Sequence, residues 1–221
     1  MWMQMPGQSW LGAAAAFLTM WVAMMAVMML PSLVPMLWRY RSAVAMTGAT
    51  HTMRLVALVA VGYFFIWTVL GFVVFLLGSE FAALAMQRSA VARAVPILAG
   101  LIVLAGSALQ FTTWKARRLA CCRQIPLCDC RAGADSLSAW QYGLRIGLRC
   151  SYCCAGFTAI LLAIGVMDLR AMAVITAAIS LERLSPSGER MARATGGVGV
   201  AAGLLMIVGT IPAWILAPDR F

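Results

Sequence analysis

Charged residues are scarce in this 221-residue sequence, at 11% Asp, Glu, Lys and Arg, whereas hydrophobic residues make up 63%. The mean hydropathy is +0.92. Ordinary soluble domains are about half apolar and about a quarter charged. This composition therefore excludes an ordinary soluble domain. It predicts an all-α integral membrane protein whose residues 1–221 form one membrane domain and whose main partner is the lipid bilayer.

Hard metal ligands are also scarce, since the chain has 7 Asp and Glu residues and 1 histidine, His51. A single histidine excludes a bis-His haem, and there is no CxxCH attachment motif. Few carboxylates argue against Ca²⁺, Mg²⁺ or di-iron sites. The net charge of +10 does not indicate a nucleic-acid partner, because the arginines lie at the ends of apolar segments, where they anchor helices to headgroups. The N-terminal MWMQMPGQSW has no basic region, so we expect no cleaved signal peptide.

Six apolar segments predict a bundle of six transmembrane helices. About 20 apolar residues cross the ~30 Å hydrocarbon core. The fifth segment is short and needs snorkelling ends or a locally thinner bilayer. The predicted spans are about 10–30, 55–79, 94–114, 147–167, 169–182 and 194–218.

The distribution of positive charge predicts the orientation of this bundle. Most of the 17 Lys and Arg residues lie in the first, third and fifth loops. By the positive-inside rule these loops face the cytoplasm, and both the N- and C-termini lie outside. Omitting the fifth span would move the arginines of the fifth loop to the outer side, which supports the count of six.

Sulfur is abundant, with 7 cysteines and 16 methionines. Cys150, Cys153 and Cys154 have i, i+3, i+4 spacing, which places them on one face of a helix. We expect them at the cytoplasmic start of the fourth span, where the helix dipole and Arg149 would stabilise negative charge on sulfur. The third loop adds Cys121, Cys122, Cys128 and Cys130.

Methionines form a stripe in the first span, and Met25, Met28 and Met29 lie near its predicted cytoplasmic end. The cysteine cluster is predicted at the same depth. Thiolate and thioether together favour Cu(I) over harder divalent ions, and zinc is the less favoured metal. The alternative is packing, because methionine fills gaps in apolar cores and buried cysteine is a common small apolar residue.

Three polar side chains at or near the spans have ordinary structural explanations. Asp168 is expected to form a local ion pair with Arg170. Glu182, near the membrane boundary, is expected either to snorkel or to be paired, with Arg190 and Arg193 as possible partners. Gln110 is expected to bond a neighbouring helix.

The chain resembles a group of bacterial inner-membrane proteins described as predicted metal-binding integral membrane proteins. The likeness lies in WVAMMAVMMLPS (21–32), in Gln110, Lys115, Cys122 and Pro126, and in GLRCSYCCAGF…GVMDLRAM…LERLSPSG (147–188). The resemblance implies a multi-pass protein of the bacterial cytoplasmic membrane. It also implies signature thiols at Cys150, Cys153 and Cys154, roles for Met24, Met25, Met28 and Met29, and a matched loop cysteine at Cys122. The chain departs from the pattern at Arg118, Ala155 and Asp168.

Three functions remain open. The leading one is a soft-metal protein, binding copper as Cu(I), that transports or stores the ion or delivers it to a membrane protein or metalloenzyme. The second is a membrane thiol–disulfide oxidoreductase that uses Cys150 and Cys153 as a CxxC pair. The third is a structural subunit of a larger membrane complex, suggested by the GxxxG of Gly199 and Gly203. A role without catalysis is favoured, and enzyme activity is left open.

Overall fold

The structure is a computed structural model that describes residues 9–45, 51–113, 115, 135–165, 168–185 and 188–216. All regular secondary structure in these ranges is helical, which confirms the predicted all-α membrane class. A short 3₁₀ turn, Leu109–Phe111, continues the third helix. The helices are α1 (Trp10–Ala45), α2 (Thr52–Gln87), α3 (Ser89–Ala108), α4 (Ser136–Ile164), α5 (Leu169–Leu184) and α6 (Gly188–Leu216).

Five helical stretches in the described residues are long and apolar enough to cross a membrane. They belong to α1, α2, α3 with its 3₁₀ turn, α4 and α6. Helix α5 has 16 residues, so it is about 24 Å long at 1.5 Å per residue, less than the ~30 Å hydrocarbon core. The fifth span and the orientation of the termini therefore stay predictions.

The helices extend beyond the apolar segments that predicted them. Helix α1 continues through Pro31 and Pro35 to Ala45, because helical backbone hydrogen bonds do not require apolar side chains. Helix α4 begins at Ser136, within the segment predicted as a cytoplasmic loop. Cys150 therefore lies well inside α4. The expectation that the helix N-terminus stabilises charge on its sulfur was wrong, because the dipole acts only within the terminal turn.

Several predicted features lie outside the described residues. They include the predicted span ends at 114, 167 and 218. They also include the loop cysteines Cys121, Cys122, Cys128 and Cys130. The chain divides into two compact units, Met1–Leu84 with Cys121–Tyr152 and Ala85–Ala120 with Cys153–Phe221. The prediction of one membrane domain is not tested by this division.

In the first unit, aromatic residues join α1 to α2 and to the first half of α4. The Trp21 indole Nε1 donates to the Trp67 carbonyl oxygen over 3.0 Å. Gly71 leaves room for the Trp21 ring, which a side chain at that position would meet. Tyr40 stacks on Tyr142 with ring centroids 5.2 Å apart. The buried indole N–H is thus satisfied without water, as a membrane interior requires.

Glycines allow α2 and α4 to approach each other closely in this unit. A Cβ atom on Gly62 would lie 2.9 Å from the Trp140 carbonyl oxygen, and one on Gly143 would collide with the Val59 carbonyl oxygen. A Cβ atom on Gly147 would lie 3.0 Å from the Tyr63 carbonyl oxygen. Small residues at such crossings let membrane helices pack backbone to backbone.

In the second unit, α6 packs against α3, its 3₁₀ turn and α5. Gly199 faces Ser107 and Gly203 faces Leu104. The predicted close packing at this GxxxG is therefore made inside the chain. The same glycines thus no longer indicate a contact with a larger complex.

The surface and interior have the polarity expected of a membrane protein. Large apolar side chains such as Val27, Leu77 and Leu205 are about two-thirds exposed or more, at 67%, 66% and 72%. Lys115 and Glu182, by contrast, are 4% and 2% exposed. Charged residues in membrane segments face the protein interior because lipid offers no hydrogen bonds.

The glycine crossing of α2 and α4 predicts a matched pair of alanine variants. Gly143→Ala should destabilise the protein by about 1–3 kcal/mol, because the new methyl group overpacks the Val59 backbone. Gly197→Ala has open space around it and should stabilise the helix by up to about 1 kcal/mol. Unfolding by SDS in mixed micelles, followed by tryptophan fluorescence, measures both. Equal behaviour of the two variants would contradict the close crossing.

Candidate functional site

Three buried thiols lie on one turn of α4. Cys150, Cys153 and Cys154 are each 2% exposed, and no disulfide joins any of them. The helix runs unbroken through them from Ser136 to Ile164. Their i, i+3, i+4 spacing therefore keeps them within one helical turn and on one face.

The first thiol contacts a methionine sulfur and a tyrosine hydroxyl. The Cys150 Sγ lies 3.9 Å from the Met29 Sδ and 3.0 Å from the Tyr63 hydroxyl. Met29 and Tyr63 are each 1% exposed. Tyr63 reaches this position from α2 one residue beyond Gly62, where α2 and α4 approach closely. The structure thus brings a thioether of α1 and a thiol of α4 together.

The other predicted methionine ligands are buried on the same face of α1. Met24, Met25 and Met28 are 7%, 1% and 2% exposed. Phe17 and Trp21 also lie on this buried face. The stripe is therefore part of the packed core, and a ligand role for Met25 and Met28 stays a prediction.

Cationic side chains approach the second and third thiols within the second unit. The Lys115 ammonium donates to the Cys153 carbonyl oxygen over 2.6 Å and lies 5.1 Å from the centroid of the Phe157 ring. The Arg183 Nη2 donates to the Cys154 Sγ over 3.5 Å. Two basic residues that marked topology in the sequence are thus neighbours of the cysteines.

A buried ion pair lies beside these cysteines. The Lys115 Nζ is 3.2 Å from the Glu182 Oε2, with side chains 5% and 2% exposed. The Thr195 hydroxyl donates to the Glu182 Oε1 over 2.8 Å. The sequence offered Arg190 and Arg193 as possible partners of Glu182, and the structure shows an ion pair with Lys115. A buried carboxylate requires a cationic partner, but the packing of the helices determines which cation that is.

The other polar predictions also change. Arg193 pairs with Glu189 over 2.7 Å. Asp168 caps the N-terminus of α5, where its side chain accepts from the Arg170 and Ala171 amides. Gln110 is 4% exposed, and its amide has no hydrogen-bond partner among the described residues. The expected bond from Gln110 to a neighbouring helix is therefore not made in this part of the chain.

The chemistry of the site rests on sulfur. Within the described ranges, no three His, Cys, Asp or Glu residues are grouped so as to hold a metal ion. What is brought together is the thiol–thioether pair of Cys150 and Met29, with two more thiols on the same helical turn. Such soft donors suit a soft monovalent ion better than a hard divalent one. The predicted ligand Cys122 lies outside the described residues.

The buried ion pair predicts an asymmetric response to mutation. Lys115→Met should destabilise the protein by about 3–5 kcal/mol, because it leaves the Glu182 charge buried and uncompensated. The double variant Lys115→Met/Glu182→Leu should recover most of that loss, since no buried charge remains. SDS titration in mixed micelles measures the free energy of unfolding.

A matched control is the exposed pair of Arg193 and Glu189, whose side chains are 63% and 60% exposed. Glu189→Gln should change stability by no more than about 1 kcal/mol. A Lys115→Met variant as stable as Glu189→Gln would contradict the buried pair.

Comparison with known proteins gives one result for the family and none for individual relatives. No curated protein and no solved structure matches the chain. The sequence profile of the PpoB2 family, described as a copper chaperone, matches residues 18–206. The match includes the methionine stripe of α1, the thiols of α4 and the ion pair of Lys115 with Glu182. With most of its length matched, the chain belongs to the PpoB2 copper chaperone family.

Proposed function

We propose that the protein binds Cu(I) within the membrane through sulfur ligands centred on Cys150 and Met29, and delivers the ion to a copper-dependent partner protein. Membership of a copper chaperone family supports copper as the cargo. The observation that carries the proposal is the contact of the Cys150 and Met29 sulfurs, 3.9 Å apart, in a buried position.

The sulfur–sulfur distance suits a shared ion. A metal ion with metal–sulfur bonds of about 2.3 Å bridges two sulfurs 3.9 Å apart at an angle of about 115°. Both side chains could therefore bind one ion with little rearrangement. Cys153 and Cys154, the other predicted ligands on α4, stay candidate ligands in this proposal. Met25 and Met28, and the loop residue Cys122, are further candidate ligands.

The donor set favours Cu(I) over zinc. Structural zinc sites are tetrahedral, with four Cys or His ligands, and the sole histidine of this chain is His51. Cu(I) accepts thioether donors, which harder ions do not favour. A neutral thioether also binds more weakly than a thiolate, so a mixed site releases its ion more readily than an all-thiolate site. Ready release is what delivery to a partner requires.

The proposed location and partner follow from the same residues. The apolar helices support a location in a membrane, and the resemblance of the sequence to bacterial inner-membrane proteins supports the bacterial cytoplasmic membrane. The cargo would pass to a metalloenzyme or another membrane protein that uses copper. No nucleic acid is involved in this proposal.

The oxidoreductase alternative needs Cys150 and Cys153 to exchange electrons with another disulfide or a quinone. Both thiols are 2% exposed, so such a partner would require an opening of the helices. The structural-subunit alternative loses its main support, because Gly199 and Gly203 pack against α3 of the same chain.

Copper binding by the purified protein tests the proposal. The wild-type protein, isolated anaerobically in detergent, should bind Cu(I) close to one per chain in competition with a chromogenic Cu(I) chelator. The triple variant Cys150→Ser/Cys153→Ser/Cys154→Ser should bind it about 100-fold more weakly or not at all, because it loses its thiolate donors. A free-thiol count on each protein accompanies the titration.

The other outcomes separate the alternatives. Unchanged copper binding in the triple variant would rule out the α4 site. A wild-type protein without copper, but with two thiols that cycle between reduced and oxidised forms, would favour the oxidoreductase. If the wild-type protein shows neither bound copper nor thiols that cycle, the structural-subunit function is the alternative that remains.

A single methionine substitution tests the thioether. Met29→Leu nearly conserves volume, so it should cost less than about 1.5 kcal/mol of stability. It removes the sulfur donor, and Cu(I) affinity should fall about tenfold, or about 1.4 kcal/mol. Met53→Leu, at a side chain that is 67% exposed, is the control and should bind like the wild type. Equal affinity of all three proteins would mean that Met29 only packs.

A further inference from the structure

The Cys150 sulfur has a hydrogen-bonding neighbour that is not itself a soft-metal ligand. The Tyr63 hydroxyl lies 3.0 Å from the Cys150 Sγ, and either group can donate the hydrogen. Tyr63 is 1% and Cys150 is 2% exposed, and the Met29 Sδ lies 3.9 Å from the same Sγ. Met29, Tyr63 and Cys150 all belong to the first unit. A phenol therefore shares one buried position with the two sulfurs of the proposed copper site.

Packing of the backbone and of the ring holds the Tyr63 hydroxyl at this sulfur. A Cβ atom on Gly147 would lie 3.0 Å from the Tyr63 carbonyl oxygen, so the backbones of α2 and α4 nearly touch here. The Tyr63 ring packs edge-on against the Phe64 ring, with centroids 5.2 Å apart and planes at 90°. Because the side chain is already ordered, it loses little conformational entropy when an ion binds nearby.

Binding of a metal ion determines which group donates in this contact. The thiolate is the form of cysteine that binds metal, so the Cys150 thiol releases its proton to the surrounding buffer as the sulfur–copper bond forms. A thiolate has no hydrogen to donate, and the phenol is then the donor. Hydrogen bonds to an ionised acceptor are about twice as strong as neutral ones. The contact is therefore stronger in the copper-bound protein than in the metal-free protein, and it favours binding.

The absence of charge on the phenol suits it to this role. Tyr63 lies in a helix that is long and apolar enough to cross a membrane, where a negative sulfur needs a hydrogen-bond donor from the protein itself. A lysine or arginine would supply a donor, but its positive charge would also repel the incoming cation. A tyrosine hydroxyl supplies the donor without that repulsion.

We propose that Tyr63 is a positioning residue of the copper site, whose hydroxyl donates a hydrogen bond to the Cys150 thiolate and so raises the affinity for Cu(I). Tyr63 acts through the sulfur and does not bind the ion. This inference rests on the proposed function, which makes Cys150 a copper ligand.

Removal of the hydroxyl alone tests this role. Tyr63→Phe keeps the aromatic ring and removes the donor. Its Cu(I) affinity, measured in competition with a chromogenic Cu(I) chelator, should fall about three- to tenfold, because the bound state loses a charge-assisted hydrogen bond. Tyr152→Phe is the matched control and should bind like the wild type. Tyr152 is 51% exposed and lies two residues from Cys150, on another face of α4.

Spectroscopy separates hydrogen bonding from packing. A hydrogen bond lowers the energy of the sulfur lone pairs. Its loss in Tyr63→Phe should therefore shift the thiolate-to-copper charge-transfer absorption to longer wavelength, in the difference spectrum of copper-loaded minus metal-free protein. In the wild type, copper loading should shift an infrared C–O stretching band of tyrosine, because the hydroxyl then donates to a thiolate. The infrared measurement does not require the variant to fold.

The outcomes separate this role of Tyr63 from copper binding itself. A wild type that does not bind Cu(I) refutes the proposed function, and this inference with it. If the wild type binds Cu(I) and Tyr63→Phe binds it equally well, only the inference is overturned, even where SDS unfolding shows that the metal-free variant is less stable. A loss of affinity without a shift in the charge-transfer absorption also overturns it, because packing would then explain the loss. So do tyrosine infrared bands of the wild type that do not respond to copper.

Discussion

The absence of water is the constraint on which this structure depends. In the hydrocarbon core a polar group must find its partner inside the protein. The Lys115–Glu182 pair, completed by the Thr195 hydroxyl, lies buried inside the protein. So does the Trp21 indole, which bonds the Trp67 carbonyl oxygen. These contacts fix which faces of the helices turn inward, because exposing any of these groups to lipid would cost several kcal/mol.

The same constraint gives the sulfur residues two roles. Thiols and thioethers are apolar enough to lie in a membrane core without hydrogen bonds, and they are also the donors that soft metals prefer. Met24, Met25 and Met28 fill the face of α1 beside Phe17 and Trp21. Met29 belongs to the same face, yet its sulfur meets Cys150. The packing of these methionines is therefore compatible with the proposed role of Met29 as a copper ligand.

Close helix crossings determine where the Cys150 sulfur lies. Gly62, Gly143 and Gly147 let the backbones of α2 and α4 nearly touch. This approach carries Tyr63 to within hydrogen-bond distance of the Cys150 sulfur. A larger residue at Gly143 would push α4 away from α2 and move the thiol with it. The glycines therefore position the site although none of them has chemistry of its own.

Composition, apolar segments and local spacing determined the helical membrane class, the approximate place of each helix and the common face of Cys150, Cys153 and Cys154. These properties are local, since hydropathy and the 3.6-residue period act within one segment. Tertiary structure alone decided that Met29 meets Cys150 and that Lys115 pairs with Glu182. It also decided that α4 begins at Ser136, so that the thiols lie inside the helix. Such pairings depend on how helices that are distant in sequence pack against each other. The local sequence around one residue of a pair does not predict which residue its partner is.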